Sequence, residues 1–358
     1  MVIGIHAKAA FKYQRTGVEE YVYQLVKHLA MLDESQQHAF HLYTPLLRGQ
    51  QLYLPNNFSV RMLHRSLMGE QVALSLEMFL HAPETLFMPA SFLPYVYPRN
   101  TVATIHGLEF KYYPEIYHPT QLRYIERGTE KVVRNAAKII SVSETTKNDL
   151  IKYYNADPRK IVVIPYGVNS QIAYHHKYAP LDEKYILFVG RIEKKKNIIP
   201  LIRAFTVLKE RKKIPHKLVL VGNPGFGYHE IRAEIEKSVY RQDIVETGYI
   251  SHEEKESFFK YADLFVLPSL YEGFPMPVLE AQLRQVPVIT SRIASTQEIG
   301  GEGVYLVDPE SVEELSDAMD RIISDRGFRD TMIAHGLANV RKYSWLKCAK
   351  ETLAALTA

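Results

Sequence analysis

Short apolar runs alternate with amphipathic stretches along the whole chain. The apolar runs predict buried strands, and stretches with apolar positions three and four residues apart predict helices. This alternation is typical of strand–helix units that build a parallel sheet with helices on both faces. In the first half it predicts helices over 17–29 and 121–135 and strands over 2–5, 39–43, 59–63, 85–88, 102–105, 138–142 and 161–164.

The periodicity lapses between residues 165 and 184, where we predict an interdomain linker. A second series follows, with strands over 185–189, 217–221, 264–267 and 286–289 and helices from about 196, to 241 and to 284. Three further helix starts are indicated by a Ser with a Glu three residues later, at 251/254, 295/298 and 311/314. For Glu298 this makes capping the preferred interpretation. The predicted domains are 1–170 and 171–342, followed by a last helix in 343–358.

A basic turn follows the first strand of the second half. Residues 189–197 close that strand with Gly190, and Arg191 and Lys196 bracket the turn into a helix. Cations beside a helix amino terminus suit a phosphate or diphosphate, which Arg can bind through two parallel hydrogen bonds. A solvated basic face is the alternative, and we favour it for Lys194 and Lys195.

A glycine-rich turn follows the next strand, in residues 220–227 around Gly222. Such a turn can bring backbone amides close to a ligand or can simply close the chain. Its spacing is G-x-x-G-x-G rather than G-x-G-x-x-G, and no G-K-[S/T] is present. The motif therefore gives little support to a dinucleotide site or a P-loop.

Two prolines locate a helix start in residues 268–280. Because Pro is excluded from helix interiors but favoured at the first helical position, the helix is predicted to begin near Pro277. Glu272 then lies in the loop and Glu280 about one turn inside the helix, both at the same mouth. Carboxylates there suit ribose or sugar hydroxyls, and the amides of residues 273, 274, 276 and 278 suit phosphate or sugar oxygens. An acid pair that only stabilises the helix dipole is the alternative.

The first half contributes two candidates. His106 follows the strand at 102–105, at the carboxyl end where open parallel sheets bind ligands, although a structural histidine is the alternative. Gly17 precedes a helix, where it would let a ligand approach the backbone or serve as an ordinary loop glycine.

These motifs resemble the retaining glycosyltransferases of family 4, also called glycosyl transferases group 1, which have the GT-B architecture. Glu272 and Glu280 have the E-x7-E spacing of that family. Nearly the whole chain takes part, through segments 16–18, 104–108, 141–144, 160–168, 189–197, 218–222, 247–251, 262–280, 287–291 and 307–309. The resemblance implies an α/β GT-B fold, with two Rossmann-like parallel-sheet domains that face an interdomain crevice. It also implies that the last helix returns to the first domain.

Carried onto this sequence, the resemblance implies that Arg191 and Lys196 hold the donor's diphosphate and that Glu280 binds the nucleotide ribose. Glu272, with the amides of Gly273 and Phe274, would face the transferred sugar. The predicted catalytic residues are His106, Arg191, Lys196 and Glu272, and the predicted donor-binding residues are Gly17, Gly190, Arg191, Lys196, Gly222, Tyr249, Ile250, Glu272, Gly273, Phe274 and Glu280.

Other roles also rest on the resemblance. His106 would lie by the transferred sugar, Gly17 would shape the loop beneath the diphosphate, and Tyr249 and Ile250 would lie near the base. Glu19 and Glu20 depart from the family, because many relatives carry Gly-Arg there, so the resemblance does not support a basic contact from that loop. The resemblance further implies retention of anomeric configuration, with the departing phosphate helping to deprotonate the acceptor.

The composition indicates a globular protein and argues against nucleic-acid binding and a metal site. The chain has 358 residues, 46% of them hydrophobic and 23% charged, which is typical of about two globular domains. Its net charge of +4 is too small to predict nucleic-acid binding. No metal-binding motif of the H-E-x-x-H or D-x-D type is present, so we expect no cofactor and no metal, with the nucleoside-diphosphate sugar as co-substrate.

Location and partners follow from similar arguments. The single Cys348, and a start that lacks the order of a signal peptide, predict a cytoplasmic protein. The first 176 residues hold 18 Lys and Arg against 14 Asp and Glu, and residues 58–68 interleave cations with apolar residues. These features favour a peripheral contact of the N-terminal domain with the cytoplasmic membrane face.

The sequence therefore predicts a metal-independent hexosyltransferase of polysaccharide biosynthesis, with a saccharide or lipid-linked saccharide as acceptor. The donor would be a GDP- or UDP-hexose, and similarity around residues 104–106 to mannosyl-transferring relatives slightly favours mannose. Two alternatives stay open: a GT-B-like nucleotide-sugar isomerase or epimerase, and a non-catalytic nucleotide-binding module. An oxidoreductase is disfavoured because the dinucleotide fingerprint is missing.

Overall fold

The computed structural model describes residues 1–45, 52–63, 69–90, 92–169 and 179–358. The chain divides into two compact units. Unit 1 comprises Met1–Lys111, Tyr117–Gly167 and Tyr343–Ala358, and unit 2 comprises Tyr112–Ile116 and Val168–Lys342. Compared with the predicted boundaries, unit 1 ends three residues before residue 170, and Tyr112–Ile116 groups with unit 2.

Unit 1 is built on a parallel sheet of seven strands. The strands are β1 (Val2–His6), β2 (Ala39–Thr44), β3 (Phe58–Met62), β4 (Thr85–Met88), β5 (Thr101–Ile105), β6 (Lys138–Ser141) and β7 (Ile161–Val163). Their order is β3-β2-β1-β4-β5-β6-β7. The helices are α1 (Gly17–Leu29), α2 (Glu70–His81), α3 (Glu109–Tyr112), α4 (Pro119–Asn135) and α5 (Glu144–Tyr154).

Unit 2 is built on a parallel sheet of six strands. The strands are β8 (Tyr185–Val189), β9 (Lys217–Val221), β10 (Ile244–Gly248), β11 (Leu264–Leu267), β12 (Val288–Ser291) and β13 (Val304–Val307). Their order is β10-β9-β8-β11-β12-β13. The helices are α6 (Ile198–Lys212), α7 (Tyr228–Lys237), α8 (His252–Tyr261), α9 (Met276–Leu283), α10 (Ala294–Gly300), α11 (Val312–Ser324) and α12 (Arg326–Val340).

The central strands of both sheets are buried along nearly their whole length, as expected for strands with helices on both faces. The strand β8, for example, is buried at every position. In each sheet the strand order reverses once, between β1 and β4 in unit 1 and between β8 and β11 in unit 2. Parallel sheets bind ligands outside the carboxyl ends of the strands at such a reversal. The loops that follow β8 and β11 therefore lie where a ligand site is expected in unit 2.

The last helix, α13 (Trp345–Thr357), belongs to unit 1. Trp345 is buried against Tyr166, with ring centroids 6.0 Å apart, and its backbone passes so close to Gly167 that a Cβ there would lie 2.1 Å from Trp345 N. At the other end Thr85 Oγ1 donates to the carbonyl of Leu356 over 3.1 Å. These contacts join both ends of α13 to unit 1.

Three predicted local features are wrong. The helix predicted to end at 241 ends at Lys237, and the strand predicted over 286–289 is β12, shifted to Val288–Ser291. Ser295 and Glu298 form no capping box, because α10 begins at Ala294 with Ile293 as its N-cap. The box at Ser251 and Glu254 is confirmed.

No helix within the described ranges is long and apolar enough to cross a membrane. Of the segment 58–68 that suggested a membrane contact, Phe58–Met62 forms β3, and residues 64–68 lie outside the described part of the chain.

Candidate active site

Two glycine turns interlock at the carboxyl ends of β8 and β9. Gly190 N donates to the carbonyl of Val221 over 2.9 Å, and Gly222 N donates to the carbonyl of Gly248 over 3.0 Å. A Cβ at Gly222 would lie 1.9 Å from the carbonyl oxygen of Gly190, and its φ of +143° disfavours other residues. Gly222 is therefore required for the close approach of the two turns, which fixes the start of the basic turn.

Lys196 and Glu272 form the centre of the candidate site. Although 76 residues separate them, Lys196 Nζ lies 2.5 Å from Glu272 Oε1, and the two side chains are 16% and 12% exposed. Ser269 Oγ donates to the same carboxylate oxygen over 2.6 Å. The backbone joins the two loops as well, since Leu270 N donates to the carbonyl of Lys195 over 2.9 Å. The predicted meeting of the basic turn and the acidic loop is thus present in the structure.

Arg191 occupies a more open position in the same turn. Its side chain is 57% exposed, and its Nε lies 3.7 Å from Oε2 of the nearly buried Glu193. Lys195 Nζ lies 3.6 Å from the other oxygen of Glu193. Of the two predicted diphosphate ligands, Lys196 is the enclosed one and Arg191 the one accessible to a mobile polyanion.

Glu280 lies inside α9 and faces a cation that the sequence did not single out. Lys255 Nζ of α8 is 2.7 Å from Glu280 Oε1, and Arg284 Nη1 donates to the carbonyl of Glu280 over 3.1 Å. Burial opposes ionisation of this carboxyl, but the charges of Lys255 and Arg284 outweigh it and hold the pKa of Glu280 below its usual value. Glu280 is therefore a buried carboxylate that stays ionised at neutral pH.

The remaining donor-site candidates of unit 2 lie on neighbouring loops. Tyr249 directly follows β10 and is 40% exposed, whereas Ile250 packs partly against the core. Gly273 is half-buried and Phe274 buried in the loop before α9. The prediction that the amides of residues 276 and 278 are free for a ligand is wrong. Met276 N donates to the carbonyl of Phe274, and Val278 N donates to the carbonyl of Pro275.

In unit 1, His106 follows β5 and is held on both ring nitrogens. Nε2 donates to the carbonyl of Pro89 over 2.6 Å, so Nδ1 accepts the hydrogen bond from the hydroxyl of Tyr166. Burial lowers the pKa of His106 to about 4, even though the Pro89 carbonyl and the charges of Glu109 and Glu19 favour the protonated ring. At neutral pH His106 is therefore an uncharged ring of fixed tautomer.

The loop before α1 carries its own basic residues. Gly17 opens the helix, and a Cβ there would meet nothing within 4 Å. Glu19, one of the two residues that depart from the family pattern, accepts from Lys12 Nζ over 2.6 Å, and Glu20 Oε2 lies 2.8 Å from Arg15 Nε. The carboxylates at positions 19 and 20 thus neutralise cations of the same loop.

Arg191, Lys196, Glu272 and Glu280 all belong to unit 2, whereas His106 and Gly17 belong to unit 1. Within the described residues, no group of three or more His, Cys, Asp and Glu side chains has the arrangement of a metal site.

Two family models match the chain in succession. The model described as Glycosyltransferase Family 4 matches residues 15–172, and the model described as Glycosyl transferases group 1 matches residues 171–338. Among curated proteins, the chain is similar to the O-antigen chain mannosyltransferase B of Escherichia coli, with 27% identity over 98% of each chain.

Two solved structures share the fold. One is WaaG, a glycosyltransferase involved in lipopolysaccharide biosynthesis, with a TM-score of 0.76 at 14% identity over 100% of each chain. The other is Anabaena Alr3699/HepE in complex with UDP-glucose, with a TM-score of 0.76 at 17% identity over 99% of this chain and 100% of that one. The predicted class, an α/β GT-B fold with two Rossmann-like parallel sheets, is confirmed.

Proposed function

Because this chain belongs to the glycosyl transferases group 1 family and is a glycosyltransferase, we propose that it moves a hexose from a nucleoside-diphosphate sugar to a saccharide or lipid-linked saccharide. The single observation that carries this proposal is the enclosed pair of Lys196 and Glu272 at the strand-order reversal of unit 2. One member suits the diphosphate and the other suits the hydroxyls of the sugar attached to it.

The reaction breaks the bond between the anomeric carbon and the oxygen of the β-phosphate. That oxygen leaves with the bonding electrons, so negative charge accumulates on the diphosphate. Lys196 and Arg191 provide positive charge for it, and a donor that is already in position needs no reorganisation when the charge develops. The acceptor oxygen forms the new bond to the anomeric carbon, and its proton passes to the departing phosphate, with retention of configuration.

The cationic turn supplies the charge compensation that a divalent cation provides in other diphosphate sites. We therefore include metal independence in the proposal. The unit 1 candidates, His106 and Gly17, stay predictions from the sequence: His106 offers an uncharged ring of fixed tautomer, and Gly17 opens a helix at a position where a Cβ would meet nothing.

Mannose is the hexose we propose first, from GDP or UDP as carrier. The similarity to a protein named O-antigen chain mannosyltransferase B supports the sugar and the assignment to polysaccharide biosynthesis. The complex of a structural neighbour with UDP-glucose supports a nucleotide sugar as the donor class.

A contact with the cytoplasmic membrane face is part of the proposal, because it would bring the enzyme to a lipid-linked acceptor. On α2, the side chains of Leu76, Phe79 and Leu80 share one face by their spacing and are 57%, 74% and 58% exposed. Apolar side chains of this size insert into a lipid surface. Sedimentation with anionic vesicles should decrease in the Phe79→Ser variant, and equal sedimentation of both proteins would remove α2 from this part of the proposal.

The first test is the shift in melting temperature caused by UDP, GDP, ADP, their sugar conjugates and NAD, each with and without a chelator. A ligand at about 100 times its dissociation constant stabilises the fold by roughly 2.7 kcal/mol. We expect one nucleoside diphosphate to raise the melting temperature whether or not the chelator is present. A shift with NAD alone, or with no nucleotide, would overturn the proposal, and a shift abolished by the chelator would overturn metal independence.

A further inference from the structure

Lys255 pairs with Glu280 at the inner end of the donor site of unit 2. Its Nζ lies 2.7 Å from Glu280 Oε1, and the two side chains are only 20% and 12% exposed. The sequence around Lys255 carries no motif that would single it out, because the residue sits among the charges His252, Glu253, Glu254 and Glu256. Only the packing of α8 against α9 shows that this lysine turns inward.

The position of Lys255 is fixed by the start of its helix. The capping box of Ser251 and Glu254 begins α8 directly after Tyr249 and Ile250, the two residues proposed to lie near the nucleotide base. Lys255 therefore lies in the first turns of a helix that starts at the base-binding loop, and its side chain reaches across to α9. The pair Lys255–Glu280 thus lies where base, ribose and α9 would meet.

The two helices do not depend on this pair for their contact. One residue along α8, Glu256 forms an ion pair with the buried guanidinium of Arg284, the residue that directly follows α9. That second pair joins the same two helices. Removing the charge of Lys255 therefore leaves an ionic link between α8 and α9 in place.

The chemistry of Glu280 explains why it needs a cation. A buried carboxyl tends to take up a proton, and a protonated carboxyl loses acceptor capacity for the hydroxyls of a ribose. The charged groups that act on Glu280 are Lys255 and His252 from α8 and Arg284, the residue directly after α9, and together they keep its pKa below the usual value. Lys255 is the one that bonds to the carboxylate directly.

We propose that Lys255 is a positioning residue for donor binding: it occupies Oε1 of Glu280 and keeps the carboxylate ionised, so that Oε2 accepts a hydrogen bond from a ribose hydroxyl of the nucleotide. This inference rests on the proposed function, in which Glu280 binds the ribose. It assigns to Lys255 no contact with the transferred sugar or with the diphosphate.

The test measures the affinity of UDP and GDP, and of their 2′,3′-dideoxy analogues, for the full-length wild type and for the Lys255→Met and Lys255→Arg variants between pH 5 and 8. At pH 5, Lys255→Met should bind the ribose nucleotide about ten- to a hundredfold more weakly, the size of one lost hydrogen bond to a charged group. The dideoxy analogue should bind wild type and Lys255→Met alike, because it offers no hydroxyl to Glu280. Lys260→Met, on the exposed side of the same helix, is the matched control and should behave as wild type.

The pH profile separates positioning from simple structural support. The ratio of ribose-nucleotide to dideoxy-nucleotide affinity cancels the protonation of the diphosphate, which both ligands share and which occurs at about pH 6. This ratio should stay level from pH 8 down to 5 in the wild type, whereas it should fall toward pH 5 in Lys255→Met as Glu280 takes up a proton. Lys255→Arg should restore the level profile. Equal weakening of ribose and dideoxy nucleotides, or a level profile in Lys255→Met, would overturn the inference.

Failure of the inference is distinguishable from failure of the proposed function. If Glu280→Gln weakens the ribose nucleotide selectively and Lys255→Met does not, only the role of Lys255 is wrong. If wild type binds no nucleoside diphosphate, the proposed function itself is wrong. If Glu280→Gln binds like wild type, the ribose role of Glu280 is wrong and the inference falls with it.

Discussion

Replacing Lys196 with methionine removes one charge from the centre of the candidate site while keeping most of the side-chain volume. In the native chain Lys196 Nζ lies 2.5 Å from Glu272 Oε1, and Ser269 Oγ donates to the same oxygen. The variant keeps the bond from Ser269, so Glu272 retains one donor. The substitution therefore removes a single positive charge beside the Glu272 carboxylate, which keeps its hydrogen bond from the Ser269 hydroxyl.

The substitution should affect both stability and catalysis, and the structure indicates the size of each effect. Because both side chains are about one-sixth exposed or less, the pair lies between a surface salt bridge and a buried one, and its loss should lower the free energy of unfolding by about 1 to 2 kcal/mol. Catalysis should suffer more, because removing one pre-positioned donor to a developing negative charge costs about 10²–10³ in kcat, or roughly 2.7–4 kcal/mol. The rate effect should therefore exceed the stability effect.

The assay is kcat with the nucleotide sugar identified by the binding panel, together with thermal unfolding of the same preparations. Lys194→Met is the matched control, because Lys194 belongs to the same run of three lysines but is exposed. We expect a folded Lys196→Met variant with kcat reduced about 10²- to 10³-fold and a control close to wild type. Near-normal turnover in Lys196→Met, or equal losses in both variants, would refute the reasoning.

Three further outcomes are expected. Gly222→Ala places a Cβ 1.9 Å from the carbonyl of Gly190 and should lower the melting temperature and nucleotide affinity together, whereas Gly17→Ala, whose Cβ meets nothing within 4 Å, should change the melting temperature little. Trp345→Ala should cost about 3 to 5 kcal/mol in denaturant unfolding of unit 1, because this buried ring packs on Tyr166; a cost below about 1 kcal/mol would contradict the packing argument. The pKa of His106 is lowered from 6.5 to about 4 in the folded protein. Between these pH values the imidazole is protonated in the unfolded chain but not in the folded one, so the free energy of unfolding should fall as the pH drops from 6.5 to 4. The slope should be shallower in His106→Gln when melting temperature is recorded against pH, and an unchanged slope would show that His106 is not its source.

Strands buried on both faces were predictable from the sequence. The runs that form β8 and β9 are apolar at nearly every position, so predicted and observed bounds agree, at Tyr185–Val189 and Lys217–Val221. The edge strand β10 (Ile244–Gly248) was missed, because only its first residue is buried and Glu246 and Thr247 interrupt the apolar run.

Parts of the candidate site were predictable because local sequence signals mark them. Glycines and prolines fix where a loop ends and a helix starts, so the turn at Gly190 and the start of α9 one residue before Pro277 follow from local rules. The meeting of Lys196 and Glu272 follows from topology, since the carboxyl ends of adjacent parallel strands lie at one edge. Each of these inferences uses either neighbouring residues or the order of strands.

Other parts depend on which way a single side chain turns, and no local pattern reports that. Lys255 lies in a stretch of charged residues that would suit a wholly solvated helix face, yet it contacts Glu280, 25 residues along the chain. Likewise, nothing local marks Tyr112–Ile116 as part of unit 2, where the ring of Tyr112 packs 5.1 Å from that of Tyr271, next to Glu272. The amide of Met276 is taken up by Phe274 because the loop before α9 folds back on itself.

The same contrast explains why the residues proposed to bind the donor were easier to predict than residues that would bind an acceptor. A diphosphate needs cations at a helix or strand terminus, and such cations lie next to glycines in the sequence, as Arg191 and Lys196 do. A saccharide acceptor needs hydroxyl-binding side chains in an arrangement that differs with every sugar, so no fixed spacing encodes it. In unit 1 the polar groups nearest this description, His106 and the acidic pair Glu19 and Glu20, already bond to partners within their own unit. For these residues to bind an acceptor, they would have to exchange their existing hydrogen bonds for bonds to the acceptor. Selectivity for the acceptor would then depend on the difference in free energy between the bonds that form and the bonds that are lost.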